Sequence, residues 1–300
     1  IVTVTVNNNP TISVAGSTTV CANQSTVLTA SGAATYLWSP STNLSLDNVA
    51  NPTFGPAAAG SYTYTVTGTA ANGCTATATV TVTVNANPTI TVSQAPAGAI
   101  CAGQTKVLTA SGAASYSWSP AANLSATNVA NPTFGPAAAG IYTYTVTGTA
   151  ANGCTATATV TVTVNPSLTL AVNGTTTVCE GAAINLTASG ATTYNWTDGT
   201  NTFSGANLST IPSATTTYTV TGTASGCTGS TTVLVTVNPL PVLNVTGTTD
   251  ICPGQSTTWT ASGADVYTWS PTSGLTPSFG AVVSASPSVG TTYTVTGINA

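Results

Sequence analysis

The sequence predicts an all-β fold of tandem antiparallel β-sandwiches in a linear array, and two observations support this prediction. First, Tyr62–Asn85 alternates valine, alanine or tyrosine with threonine on both sides of an Asn-Gly turn, which is the pattern of a β-hairpin. Second, the same letters return unchanged at Tyr142–Asn165 and in looser form at Tyr218–Asn238. About seven short strand signals, separated by turn residues, fill each repeat, as expected for a sandwich of two sheets.

Asn-Pro pairs mark the junctions between the repeats, because they recur at the same point of each copy. Proline fixes φ and keeps the preceding residue extended, so each junction is expected to be short and stiff. The pairs are Asn9-Pro10, Asn87-Pro88, Asn165-Pro166 and Asn238-Pro239. The predicted domains are 10–87, 88–165, 166–238 and 239–300, and the fourth lacks its final strand.

Residues 1–9, IVTVTVNNN, match the end of the repeat at Thr79–Asn85, which predicts the last strand of a preceding or neighbouring-subunit domain. Two explanations fit this pattern. In the first, the 300 residues are part of a longer tandem chain. In the second, each copy accepts residues 1–9 of the next copy as its final strand, which describes a pilus-like, donor-strand-exchanged subunit.

An aromatic core is predicted for every domain. Each first cysteine is followed at a fixed distance by a tryptophan, which we expect to pack between the two sheets, and an aromatic binding platform is the alternative. The tyrosine of the final hairpin resembles the tyrosine corner of immunoglobulin-like (Ig-like) domains. The predicted core residues are Trp38, Trp118, Trp196, Trp269, Tyr64, Tyr144, Tyr218 and Tyr293.

The chain contains very little charge. Charged residues make up 2% of it, against roughly 25% in an ordinary domain. Nucleic-acid binding is disfavoured, because no cluster of basic residues is present to neutralise phosphates. No apolar run approaches the ~18–20 residues of a membrane span, so no membrane insertion is expected.

The residue inventory also argues against an enzyme. The chain has no histidine and one basic residue, and its five acidic residues fall at different positions of the repeat. A nucleophilic serine or threonine would therefore lack a general base. Clustered carboxylates for calcium and CxxC or histidine ligands for zinc are missing as well, so no catalytic residue, metal or cofactor is predicted.

Seven cysteines at regular positions indicate an oxidising compartment outside the cytosol. Pairing within a domain would join Cys21 to Cys74, and the equivalent cysteines elsewhere. In a sandwich, however, these two cysteines lie at opposite poles, which a strand of about seven residues separates by roughly 20–25 Å. Bridged Cα atoms lie within about 7 Å of each other.

End-to-end stacking removes this difficulty, because it places the far pole of one domain beside the near pole of the next. We therefore predict disulfides between domains, pairing Cys21 with Cys154 and Cys101 with Cys227. The partners of Cys74, Cys179 and Cys252 would then lie outside residues 1–300.

The repeat as a whole resembles a known family. Three of the four units contain LTASGA, Tyr-x-Trp-Ser-Pro, YTVTGT and a Gly-Cys-Thr turn, and the first two contain Pro-Thr-Phe. The third departs with WTDG at Trp196–Gly199. In this pattern the chain resembles the tandem Ig-like and PKD-like repeats of giant Bacteroidota cell-surface adhesins, which include gliding-motility proteins and substrates of type IX secretion. The resemblance implies secretion, display on the cell surface and a fibrous or adhesive role, but it does not identify a ligand.

We therefore predict a structural repeat region of an extracellular filament or adhesin stalk, which provides length, stiffness and lateral contacts with other copies of itself. The alternative is an array of binding modules that recognise a glycan or another surface. The donor-strand-exchanged subunit is the second alternative.

Overall fold

The computed structural model describes residues 1–299, and the regular structure within that range is β-strand. The chain divides into two compact units, Ile1–Ser167 and a second that begins at Leu168. Each unit contains two hydrophobic cores, each packed between β-sheets, so the chain contains four β-sandwiches, numbered here along the sequence. This architecture confirms the predicted fold class, whereas the individual domain boundaries stay a prediction.

The first sandwich contains eight strands. They are β1 (Ser13–Ala15), β2 (Thr19–Cys21), β3 (Thr26–Val27), β4 (Thr29–Ser31), β5 (Thr35–Ser39), β6 (Thr53–Phe54), β7 (Gly60–Thr69) and β8 (Thr75–Asn85). One layer is a four-stranded sheet of order β2-β8-β7-β5, and the other pairs β1 with β4 and β3 with β6.

The second sandwich repeats this arrangement, with a single strand in place of β3 and β4. Its strands are β9 (Thr91–Ala95), β10 (Ile100–Cys101), β11 (Lys106–Ser111), β12 (Ser115–Ser119), β13 (Thr133–Phe134), β14 (Gly140–Thr149) and β15 (Thr155–Asn165). The two sheets have the orders β10-β15-β14-β12 and β13-β11-β9.

The third sandwich has one additional strand at the edge of its larger sheet. Its strands are β16 (Ala171–Gly174), β17 (Thr177–Cys179), β18 (Ile184–Ser189), β19 (Thr193–Thr197), β20 (Thr202–Ser204), β21 (Asn207–Thr210), β22 (Thr216–Ala224) and β23 (Cys227–Asn238). The sheets have the orders β17-β23-β22-β19-β20 and β16-β18-β21.

The fourth sandwich is smaller on one side. Its strands are β24 (Asn244–Thr246), β25 (Thr257–Ser262), β26 (Val266–Ser270), β27 (Leu275–Thr276), β28 (Val282–Ala285) and β29 (Thr294–Ile298). One sheet has the order β24-β25-β28-β27, and the other, within residues 1–299, pairs β26 with β29.

The long hairpin of β7 and β8 follows directly from its alternating sequence. Val82 and Val84 face the core and are buried, while Thr83 between them faces outward. Each fully buried valine contributes about 1.5–3 kcal/mol. At the turn, the Asn72 side-chain oxygen accepts the Cys74 N–H at 3.0 Å. Gly73 has a φ of 86°, which favours glycine over residues with a Cβ.

A second turn is fixed by a glycine and a tyrosine at the end of β4. Gly32 has a φ of 102°, and a Cβ at this position would collide with the Thr11 carbonyl oxygen. The Tyr36 hydroxyl accepts the Ala33 N–H at 2.9 Å and donates to the Ala33 carbonyl at 3.0 Å. The LTASGA segment therefore holds the first strand, the turn and the tryptophan-bearing strand together.

A short parallel strand borders the last strand in the first three sandwiches, and the sequence analysis did not predict it. It places the first cysteine of each sandwich opposite the asparagine that ends the last strand. The opposed pairs are Cys21 and Asn85, Cys101 and Asn165, and Cys179 and Asn238. In the fourth sandwich, Thr249–Cys252 has the equivalent sequence position but forms no strand.

Candidate functional site

The joint between the first and second sandwiches is the first candidate site, because a disulfide connects them. Cys21 at the end of β2 is bonded to Cys154 in the turn before β15, with the two Cα atoms 5.6 Å apart and a sequence separation of 133. Cys154 is fully buried. The peptide connection and the disulfide thus form two covalent links across one joint, as the pairing of Cys21 with Cys154 in the sequence analysis requires.

The length of the last strand explains why Cys21 does not pair with Cys74. Cys21 lies opposite Asn85, at the end of β8, while Cys74 immediately precedes the start of β8. The strand has 11 residues, which at about 3.3 Å per residue separates its ends by roughly 33 Å. A disulfide allows about 7 Å between Cα atoms, so the two cysteines of one sandwich cannot meet.

The other five cysteines fall into two groups. Cys101 and Cys227 each take part in a disulfide, and in their repeats they have the positions of Cys21 and Cys154. Cys74, Cys179 and Cys252 are free thiols, of which Cys74 is half-buried and the other two are exposed. Their predicted partners outside residues 1–300 stay a prediction.

The predicted core tryptophans lie between the sheets of their sandwiches. Each indole N–H donates to a backbone carbonyl oxygen across the sandwich. The pairs are Trp38 with Val49 at 2.9 Å, Trp118 with Val129 at 2.9 Å, Trp196 with Gly205 at 3.0 Å and Trp269 with Gly280 at 3.1 Å. Burial of these four rings suits a structural role, since little ring surface is accessible to a ligand.

The predicted core tyrosines differ between the fourth sandwich and the others. Tyr64, Tyr144 and Tyr218 are buried, and the burial raises the pKa of each phenol. The hydroxyl groups of Tyr64 and Tyr144 donate to backbone carbonyls at 2.7 Å. Tyr293 donates to the Ser273 carbonyl at 2.6 Å but is only half-buried. The core of the fourth sandwich is therefore incompletely covered at this side.

A groove opens beside Tyr293. It has a volume of ≈ 360 Å³ and is lined by Val245, Gly247, Thr249, Trp259, Trp269, Thr291, Tyr293 and Val295. Trp259 has the repeat position at which the first three sandwiches have a fully buried leucine, and its ring stacks on Trp269 with centroids 5.9 Å apart. This groove was not predicted, although Trp259, the extra tryptophan of the fourth repeat, is a visible signal in the sequence.

Residues 1–9 lie outside the strands of the first sandwich. Val2, Val4 and Val6 are 93%, 80% and 88% exposed. The segment passes the hairpin turn of the first sandwich, where the Cys74 sulfur lies 3.7 Å from the Asn7 carbonyl oxygen and the Asn72 amide 3.5 Å from that of Asn8. An apolar, strand-like segment is thus held next to a free thiol.

Lys106, the single basic residue of the chain, lies inside the second sandwich. Lys106 is buried, and its ammonium group donates to the Gln94 side chain at 3.0 Å and to the Gly98 carbonyl. Desolvation lowers the pKa of the amine. The amine of Lys106 therefore makes hydrogen bonds within its own sandwich.

Clusters of three or more metal-ligating side chains are absent from the part of the chain that the structure describes. That part also contains no helix that could cross a bilayer.

The four sandwiches are Ig-like, with two packed, mainly antiparallel sheets in tandem. No protein-family model and no curated protein sequence matches the chain. Among solved structures, a fragment of three titin Ig domains is 12% identical, covers 77% of this chain and 98% of its own length, and has a TM-score of 0.43. Extracellular domains 3–5 of Drosophila OTK are 11% identical, cover 73% of this chain and 93% of their own length, and have a TM-score of 0.34. The three N-terminal domains of the highly immunogenic outer capsid protein of bacteriophage RB49 are 16% identical. They cover 77% of this chain and 99% of their own length, and have a TM-score of 0.33.

Proposed function

We propose that this chain is the structural repeat region of an extracellular filament or adhesin stalk on a bacterial surface. The single observation behind this proposal is the disulfide between Cys21 and Cys154, because it connects two consecutive Ig-like sandwiches. A load applied along the chain crosses this bond and bypasses residues 22–153, which include every strand of the two sandwiches except β1, β2 and β15. The arrangement suits a protein that transmits tension and resists bending at its joints.

The second joint is proposed to have the same chemistry. Cys101 and Cys227 are both disulfide-bonded and repeat the sequence positions of Cys21 and Cys154. A bond between them would connect the second repeat to the third. Clamps at successive joints would give a stiff series of domains, whose length increases with each added repeat.

The composition supports an extracellular location. Disulfides persist in oxidising compartments, and a surface of threonine, serine and asparagine with 2% charged residues depends little on salt or pH. The repeat pattern shared with Bacteroidota adhesins supports display on the cell surface after type IX secretion, and a role connected with gliding motility.

Lateral contact with other copies is part of the proposal. The outward face of the hairpin sheets contains rows of threonine, interrupted by single apolar residues such as Leu37, Ile141 and Leu234, which are 56%, 73% and 56% exposed. These exposed side chains, together with the unpaired edges of the sheets, are the surfaces through which copies would associate side by side.

Small-angle X-ray scattering of the oxidised 300-residue chain and its Cys154→Ser variant tests this function. We expect the parent chain to scatter as a single extended conformation, and the variant to show a broader distribution of dimensions because its first joint bends. The Cys179→Ser variant, which removes a free thiol, should scatter like the parent. A parent chain that is as loosely jointed as the Cys154→Ser variant would contradict the proposal.

A further inference from the structure

The disulfide between the first two sandwiches joins two sulfurs that differ in their access to solvent. Cys21 is half-buried at the end of β2, whereas Cys154 is fully buried. A disulfide is reduced when a thiolate attacks one of its sulfurs, and access decides which sulfur reacts. The sulfur that a thiol in solution can reach is therefore that of Cys21, and Cys154 is the leaving group.

The turn that contains Cys154 occurs twice in the chain, once with a disulfide and once with a free thiol. In the bonded copy, the Cys154 N–H donates to the Asn152 side-chain oxygen at 3.1 Å, and the Cys154 carbonyl accepts the Ala150 N–H at 2.8 Å. In the free copy, the same two hydrogen bonds of Cys74 measure 3.0 Å and 2.9 Å. The turn thus keeps its hydrogen bonds whether its sulfur is bonded or free.

The strand end that contains Cys21 also occurs in both forms. In the first sandwich Cys21 lies opposite Asn85, and the N–H of Ala22 donates to the Asn85 carbonyl at 2.8 Å. In the third sandwich the free Cys179 lies opposite Asn238 in the same parallel pairing, and the next N–H along the chain donates to the Asn238 carbonyl at 2.8 Å. Both cysteines of the disulfide therefore lie in backbone structures that also form around a free thiol.

We infer that the Cys21–Cys154 disulfide is a reversible redox switch, which a small-molecule thiol opens and which closes again without unfolding of either sandwich. The inference rests on the proposed function, since it concerns the regulation of the same joint. When the disulfide is open, residues 86–90 between β8 and β9 still connect the two sandwiches. The chain then stays continuous while the joint gains freedom to bend, so the ratio of thiol to disulfide in solution sets the stiffness of the joint.

Opening is a thiol–disulfide exchange. The thiolate of a small-molecule thiol, such as glutathione, forms a bond to the Cys21 sulfur while the bond between the Cys21 and Cys154 sulfurs breaks. The electron pair of the broken bond leaves with the Cys154 sulfur, which takes up a proton. The product has a mixed disulfide on Cys21 and a free thiol on Cys154.

Closing is the reverse exchange, and it needs no oxidant. The Cys154 thiol loses its proton, and its thiolate attacks the Cys21 sulfur of the mixed disulfide and expels glutathione as a thiolate. Because both sulfurs belong to one chain, this step is intramolecular, and its rate should not depend on protein concentration. The hydrogen bond from the Cys154 N–H to Asn152 keeps the turn in its bonded conformation during the cycle.

The test uses the full chain with this disulfide as its only pair of cysteines. The required substitutions are Cys74→Ser, Cys101→Ser, Cys179→Ser, Cys227→Ser and Cys252→Ser. The folded protein is treated with reduced glutathione, quenched with acid and mapped by mass spectrometry without reduction. We expect glutathione on Cys21 about tenfold more often than on Cys154.

The second half of the test follows closing after free glutathione has been removed. The adduct should disappear as the Cys21–Cys154 disulfide returns, at a rate independent of protein concentration and without added oxidant. The fluorescence of the buried Trp38 and Trp118 should stay that of the folded protein throughout. Equal labelling of both sulfurs, a disulfide that glutathione does not open, closing that requires an oxidant, or loss of the folded fluorescence would each overturn the inference.

Two asparagine variants provide a matched control. Asn152→Ala removes the hydrogen bond to the Cys154 N–H, and it should slow closing about two- to tenfold, as expected for the loss of one hydrogen bond. Its labelling of Cys21 should be unchanged. Asn72→Ala makes the same change in the equivalent turn, which takes no part in the disulfide, and it should leave both steps unchanged. Equal effects of the two variants would contradict a role of the Cys154 turn in closing.

The untreated protein separates this inference from the proposed function. Peptides that link Cys21 to Cys154 before the addition of glutathione report the covalent joint itself. If these peptides are present and the cycle fails, the redox switch is wrong and the covalent joint stands. If they are missing, the proposed function is wrong as well.

Discussion

At the scale of single residues, stability depends on neutral hydrogen-bonding groups in place of ion pairs. The four core indoles donate to backbone carbonyls, and the Tyr144 hydroxyl donates to the Ala122 carbonyl at 2.7 Å. No side-chain nitrogen or oxygen that is buried within residues 1–299 lacks a partner. These cores should therefore depend on pH only where the few buried phenols or the buried amine titrate.

We predict that the free energy of unfolding is nearly constant from about pH 5 to 9 and falls above about pH 10. Burial raises the pKa of Tyr64, Tyr144 and Tyr218, so their contribution is complete below the unfolded-state pKa and is lost as pH rises through the folded-state values. The lowered pKa of Lys106 acts in the opposite direction, because stability rises as this amine loses its proton. Urea denaturation across this pH range measures the net effect.

The Tyr144→Phe variant is the control for this prediction. It loses one hydrogen bond, which should cost about 0.5–1.5 kcal/mol at neutral pH, and it should lose less stability than the parent above pH 10. Equal alkaline losses in the variant and the parent would contradict the assignment to the buried phenols.

At the scale of elements, the long hairpins could be predicted and the short parallel strand could not. The hairpin of β7 and β8 has an alternating pattern over many residues and an Asn-Gly turn, so its period was visible in the sequence. Strand β2 has three residues, too few for any periodic signal, and it forms because the edge of β8 supplies its hydrogen bonds. This edge contact places Cys21 at the end of the first sandwich that faces the second. It therefore determines that Cys21 bonds to a cysteine of the next sandwich.

Loss of the Cys21–Cys154 disulfide should destabilise the two sandwiches that it joins. We predict that Cys154→Ser lowers the free energy of unfolding of the first two sandwiches by about 2–4 kcal/mol. Calorimetry of the oxidised protein measures this loss. Reduction of the parent, which also breaks the bonds of Cys101 and Cys227, should cost at least as much. Cys74→Ser, which removes a free thiol from the equivalent turn, should have little effect, and a loss as large as that of Cys154→Ser would mean that Cys74 is also bonded.

At the scale of the whole molecule, repetition in the sequence predicted the tandem organisation and the all-β class. The distance between the two cysteines of one sandwich also indicated bonds between domains, because that distance depends only on strand length. The groove of the fourth sandwich and the burial of Lys106 could not be predicted in this way. Both involve local exceptions to the repeat: Trp259, which lines the groove, has a leucine position, and Lys106 is a charged residue in a type of core that rarely contains one.

Single-molecule stretching of the chain from its two ends is the most direct test of the disulfide between Cys21 and Cys154. In a variant with Cys101→Ser and Cys227→Ser, the bond between Cys21 and Cys154 withholds a loop of 133 residues from extension. At about 3.3–3.6 Å per residue, the fully unfolded oxidised chain should be roughly 440–480 Å shorter than the reduced chain. A shortening of less than roughly half that value would place Cys21 in a bond within its own sandwich and contradict this account.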